Sequence, residues 1–148
     1  MRILFLCEGS AESWDSWSGI SKSIVDHLRA AGHAVHVRDV DLYGSDRWAA
    51  AAATLSLDRR RWATRYHLAE VPFRLRSRQA RRHISSMRGS LDLIVQVGST
   101  FDSRSPDGPP YCVCSDSNIR VAEAGSSTGF TDTVPLTPDE VTAIVRRE

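Results

Sequence analysis

Several things are missing from this sequence, and each absence removes a class of explanation. No apolar run approaches the roughly eighteen residues of a membrane-spanning helix. The opening Ile3-Leu4-Phe5-Leu6-Cys7 is too short for a secretory h-region, and no cleavage site follows it. It is expected to be a buried strand at the true start of a protein. There are three cysteines, Cys7, Cys112 and Cys114. An odd number argues against a disulfide framework. His33 and His36 are the only loosely suitable co-ligands, and their spacing does not make a zinc site, so no metal is expected. Buried, reduced thiols and a cytoplasmic chain are the expectation. The dinucleotide fingerprint is absent, because Gly9 and Gly19 lie ten residues apart. A Walker loop is absent too, since Lys22 follows Ser21 without the glycine frame. No nucleophile and base pair is visible, which weighs against a small nucleotide- or phosphate-handling enzyme.

What is present suits one globular core. The chain has 148 residues, 41% of them hydrophobic, and a formal net charge of +1. The charge is unevenly spread. Residues 59–88 hold ten arginines and one acid, Glu70. Such a block can be a solvated helical face, or it can meet anionic lipid or a partner protein. The solvated face is the first expectation; because Trp62, Tyr66, Leu68, Phe73 and Leu75 interleave with the charges, a membrane or partner surface formed by Arg74, Arg76, Arg78, Arg81 and Arg82 comes next. Nucleic acid is not expected, because net charge is near zero and no binding motif is visible.

Periodicity predicts a strand over 2–7 and a helix over about 19–31, with Ser18 or Ser21 as its cap and Gly32 at its end. An alternating strand follows over 34–40, which completes a βαβ unit. An alanine-rich helix is predicted over 46–56. Residues 58–88 read as helical with a break at Val71-Pro72. Strands are predicted over 91–98 and 111–114, followed by a loop from Asn118 to Pro135. Thr137-Pro138-Asp139-Glu140 starts a last helix, with a cap, an early proline and an acid three residues after the cap. The chain then stops in mid-pattern, as a fragment would. The order of elements predicts a Rossmann-like, doubly wound, mostly parallel α/β sheet.

In such sheets ligands bind beyond the carboxyl ends of the strands. The loop 8–18 occupies one such end, and the amides of the following helix could receive an anion there. That loop carries Trp14 and Trp17 with Asp15 between them. Both rings can pack over the sheet edge, or one can stack on a sugar while Asp15 or Glu12 accepts hydroxyl hydrogen bonds. Glu8 and Glu12 add negative charge that is awkward for a phosphate. Asp102, Asp107 and Asp116 make the same end acidic.

Met1 to Phe5, Ser16-Trp17-Ser18-Gly19-Ile20, Leu28 to Val35, Asp92 to Gly98 and Tyr111 to Asp116 together resemble the N-terminal half of GT-B-fold glycosyltransferases, family 4 type. The resemblance spans residues 1 to about 123. It implies a single Rossmann-like N-terminal domain over 1–148 that lacks the donor-binding C-terminal domain and is inactive alone. It implies retaining, metal-independent transfer from a nucleotide-sugar to a sugar or lipid-linked acceptor, with no cofactor bound by this domain itself. Location would be cytoplasmic, peripheral at the inner membrane surface. Asp116 would be the catalytic-cleft carboxylate. Trp14, Asp15, Trp17, Ser18, Gly19, Gly98 and Ser99 would line the substrate site, with the backbone of Ser18, Gly19 and Ile20 nearest the donor phosphates. The alternative is a non-catalytic Rossmann-like binding or assembly module. The opening ILFLCEGS is also similar to low-molecular-weight tyrosine phosphatases, but their phosphate loop needs an arginine at position 13, where Ser13 stands.

Overall fold

The computed structural model describes residues 1–14, 19–105, 107–115 and 135–147. Four strands are present among them: β1 (Arg2–Cys7), β2 (Ala34–Asp39), β3 (Leu93–Val97) and β4 (Tyr111–Cys114). The helices are α1 (Ile20–Ala30), α2 (Gly44–Ala53), α3 (Arg59–Leu68), α4 (Glu70–Ser86) and α5 (Pro138–Val145). The chain divides into two compact units, Met1–Asp41 with Arg76–Cys114, and Leu42–Leu75 with Ser115–Glu148.

The first unit is an α/β layer structure. Its sheet runs in the order β2-β1-β3-β4, and every pairing is parallel. The continuous apolar run of β1 follows from its central place, because both of its faces are covered. Ile3, Phe5 and Cys7 enter one core, together with Val25 of α1 and Val95 and Val97 of β3. Leu4 and Leu6 enter the other, with Ala80 and Ile84 of α4, Ile94 and Phe101. Each fully buried aliphatic or aromatic side chain here contributes about 1.5–3 kcal/mol. β2 alternates between exposed and half-buried residues, as a strand covered on one face does.

Helix ends are set by local chemistry. Gly32 has φ +83°, and the amides of Gly32 and His33 bond to the carbonyls of Arg29 and Leu28, closing α1. At its other end Gly19 occupies the N-cap position at φ 78°, and Ser21 is buried inside the first turn, so Ser21 is not the cap. Ser18 lies outside the described residues. The alanine-rich helix begins and ends slightly before the predicted 46–56. The break in the basic stretch falls at Ala69, ahead of Val71-Pro72. Pro72 sits in the first turn of α4, where a missing N–H removes no intrahelical bond.

In the second unit Leu136, Val141 and Ile144 form a small core with Leu68 and Val145. Thr137 and Glu140 make the reciprocal capping box expected from their spacing. Glu140 also pairs with Arg65 at 3.0 Å and Arg61 at 3.5 Å. Arg147 binds Glu70 at 3.1 Å, donates to the Leu68 carbonyl and lies over the Phe73 ring at 4.4 Å. No described helix is long and apolar enough to cross a membrane.

Burial raises the Glu140 carboxyl pKa, but the Thr137 amide and hydroxyl, then Arg65 and Arg61, outweigh it and leave the group below the ordinary range. A carboxyl held low when folded adds stability above its unfolded pKa and loses it as pH falls through the folded one. The stability difference between wild type and Glu140→Gln is therefore expected to be largest near neutrality and to shrink as pH drops below about 4.3. Urea midpoints across that range test it, and a pH-independent difference would contradict it.

Candidate functional site

The strand order creates one topological switch point. The chain leaves β1 for β2 on one side and returns to β3 on the other, so the loops after β1 and β3 diverge from adjacent strands. The loop after β1 begins with Glu8 and Gly9, and the loop after β3 with Gly98, Ser99 and Thr100. A hydrogen bond from the Thr100 hydroxyl to the Glu8 carboxylate spans the crevice between them.

Glu8 is nearly buried, with 12% of its side chain exposed, and a buried carboxylate needs a counter-charge. Arg76 of α4 supplies it. Its Nε lies 3.3 Å from Glu8 Oε2 and its Nη2 lies 3.8 Å from Asp41 Oδ1. Arg76 is 0% exposed. This corrects the expectation that Arg76 belongs to a membrane or partner surface. α4 turns that side chain inward, on the same helix that sends Ala80 and Ile84 into the core. Arg74, Arg78, Arg81 and Arg82 are exposed, and Arg74 holds Glu70 at 2.6 Å.

Gln96 determines the shape of the β3 loop. Its side chain is buried, and Nε2 donates to the carbonyls of Gly98 at 2.9 Å and Phe101 at 2.8 Å. Its Oε1 accepts from the amide and hydroxyl of Ser103, at 3.1 and 2.7 Å. Ser77 of α4 accepts the Asp102 amide at 2.8 Å. Gly98 takes φ +88°, and its amide bonds to the Cys114 carbonyl at 2.9 Å. The result is a rigid small-residue loop that presents Ser99 and Thr100 half-buried at the crevice.

Asp39, at the end of β2, organises the other side. Its Oδ1 accepts the Gly9 amide at 2.8 Å and the Asp41 amide at 2.7 Å. The Gly9 amide is thereby engaged within the protein instead of facing an anion. Trp14 is 66% exposed, and its ring edge lies so close to Gly19 that a Cβ there would sit 2.6 Å from Trp14 Cε3. Lys22 Nζ lies 5.2 Å from the Trp14 ring centroid. Thus Trp14 and Gly19 are brought together, as are Gly98 and Ser99. Asp15, Trp17, Ser18 and Asp116 lie outside the described residues. A shallow cleft of about 490 Å³ opens beside this loop, between Gly9–Glu12 and the Val35–Asp39 edge, with Glu12 paired to Arg29 at 2.9 Å.

The expected negative charge of the loop is therefore compensated at Glu8 by a buried cation and at Glu12 by an exposed one. Cys7 is no nucleophile: burial, then the nearby Asp39 carboxylate, push its thiol up to about 12. Cys112 is exposed and Cys114 half-buried, which corrects the expectation that all three thiols are buried. β4 holds one edge of the described sheet and leaves them accessible. No group of three or more metal-binding side chains occurs among the described residues. The crevice offers hydroxyls and a neutralised carboxylate, a set suited to hydrogen-bonding a hydroxyl-rich ligand, and the exposed Trp14 ring lies separately against Gly19 at the start of α1. Thr100, Gln96 and Asp39 escaped the sequence reading, and Arg76 was placed on the surface by it. The available signal was position, since Glu8, Asp39 and Thr100 all fall at or just beyond strand ends.

No protein-family model, curated protein or solved structure matches the chain.

Removing the buried cation is expected to be costly. Arg76→Met should lower stability by about 3 kcal/mol, since it strands a poorly solvated carboxylate. Adding Glu8→Gln should recover part of that loss in urea melts, whereas simple additivity would show the pair to be uncoupled. Iodoacetamide at pH about 8.5 should alkylate Cys112 in the folded chain and Cys7 only after denaturation. Equal labelling by peptide mass spectrometry would refute the burial argument.

Proposed function

We propose that this chain is the acceptor-side Rossmann-like domain of a GT-B-type glycosyltransferase of the retaining, nucleotide-sugar-dependent class. The observation that carries the reading is the meeting of the post-β1 loop and the Gly98–Thr100 loop at one switch point, with the Glu8 charge neutralised from beneath by Arg76. A polar crevice of that kind tolerates both a hydroxyl-rich acceptor and a nearby phosphate. The Trp14 ring, resting on Gly19, would form a stacking shelf for a sugar ring. Ser99 and Thr100 would hydrogen-bond its hydroxyls. The Gly19 and Ile20 backbone, at the positive end of the α1 dipole, would lie nearest the donor diphosphate. Developing leaving-group charge would be met there and by cationic groups of a separate donor-binding domain. By itself the domain would bind acceptor and not turn over.

The test is amide NMR of the chain titrated with oligosaccharides and with uridine- and guanosine-diphosphate sugars. Sugar acceptors should shift Gly98, Ser99, Thr100 and the Trp14 indole, and Thr100→Ala should weaken binding about three- to tenfold, the worth of one hydrogen bond. Turnover by the chain alone would overturn the reading in favour of a complete small enzyme. An absence of shifts with every sugar would favour the non-catalytic binding module.

A further inference from the structure

The second unit contains a surface that the transferase reading does not use. α2 and α3 face each other across a groove of about 680 Å³. α2 contributes Arg47, Trp48 and Ala51 to it, and α3 contributes Arg59, Trp62 and Tyr66, each set at helical spacing. Trp62 ties the two helices together, its indole N–H donating to the Ala51 carbonyl at 3.1 Å. Trp62 remains partly exposed in that position.

Three further features mark how the groove meets its surroundings. Trp48 is 77% exposed. The short connection between the helices carries Leu55, 66% exposed, and Leu57, fully exposed. Two aliphatic side chains and a tryptophan held in water on one helical hairpin form an unusual surface. The local charge is one-sided as well, with five arginines against two aspartates between residues 43 and 67. Asp58 is already occupied in capping α3. Arg61 and Arg65 are bound to Glu140, which leaves Arg47, Arg59 and Arg60 as the exposed cations of the hairpin.

We infer that the α2–α3 hairpin is a docking surface for an anionic lipid bilayer: Leu55, Leu57 and Trp48 enter the headgroup–acyl boundary and Arg47, Arg59 and Arg60 bind lipid phosphates. Charge complementarity selects this occupant. A tryptophan and leucines flanked by guanidiniums match a layer that is apolar within and negatively charged at its face. The surface lies on the hairpin and not on the exposed arginines of α4, which have no comparable exposed apolar partners apart from Val71. The inference is independent of the transferase reading, because its readout is lipid binding alone.

The experiment is co-sedimentation of the full chain with vesicles of phosphatidylcholine, with and without phosphatidylglycerol. Binding is expected to the anionic vesicles, to fall as salt rises, and to be far weaker to phosphatidylcholine alone. Trp48→Ser combined with Leu57→Ser should reduce partitioning about tenfold or more. Loss of Arg59 or Arg60 should cost about fivefold each. All four side chains are exposed, and unchanged thermal melts would confirm that the variants fold. The control pair Arg81→Glu and Arg82→Glu should retain most binding. Three results would overturn the inference: no binding to anionic vesicles, binding insensitive to the hairpin variants, or loss confined to the α4 pair. A concentration-dependent dimer that Trp48→Ser dissolves, without vesicle binding, would likewise overturn it and assign the groove to a second copy.

Discussion

A guanidinium sealed from water dictates much of the first unit. A guanidinium is a permanently charged group in proteins, and an isolated buried charge would cost several kcal/mol. Its partners must therefore be carboxylates brought from elsewhere in the chain. They come from the ends of two neighbouring strands, Glu8 after β1 and Asp41 after β2. The requirement works in both directions. Glu8 can lie nearly buried at the switch point because Arg76 sits beneath it, and α4 is fixed against the sheet by polar contacts as well as by Ala80 and Ile84.

Around that pair the described polar groups form a scaffold of hydrogen bonds. Gln96 uses all four of its hydrogen-bonding positions on one short loop. Asp39 gathers the Gly9 and Asp41 amides, while its own carbonyl is approached by Gln79 and His83 of α4. Buried networks of this kind specify one arrangement when every member is satisfied. They set the path of Gly98, Ser99 and Thr100 past the end of β3. Cys7 lies in the core beside this network, its thiol pushed up by burial and by the Asp39 carboxylate.

The arginine-rich stretch divides into separate physical roles once it is folded. Arg76 is an internal counter-ion. Arg61 and Arg65 hold Glu140, and so tie α3 to α5. Arg74 makes an i,i+4 pair with Glu70, an exposed contact worth only a few tenths of a kcal/mol. Arg59 and Arg60 flank the start of α3 beside exposed apolar residues. Composition alone cannot separate these roles, since a guanidinium is the same group in each of them.

Much of the architecture was legible in the sequence because it depends on near neighbours. The continuous apolar run of β1, the alternation of β2, Gly32 at the end of α1 and the Thr137–Glu140 box all express interactions within a few residues. The parallel α/β class followed from their order. The candidate loops after β1 and β3 were also readable, because Gly9, Gly98 and Ser99 lie just past predicted strands. Only the tertiary structure decided which of ten arginines turns inward, that Thr100 reaches Glu8, and that Gln96 shapes the loop between them. Those contacts join residues far apart along the chain, and no local pattern encodes which face of α4 meets the sheet. The same holds for Cys112, left exposed by the edge position of β4, and for Trp48 and Trp62, whose shared groove exists only when two helices lie side by side.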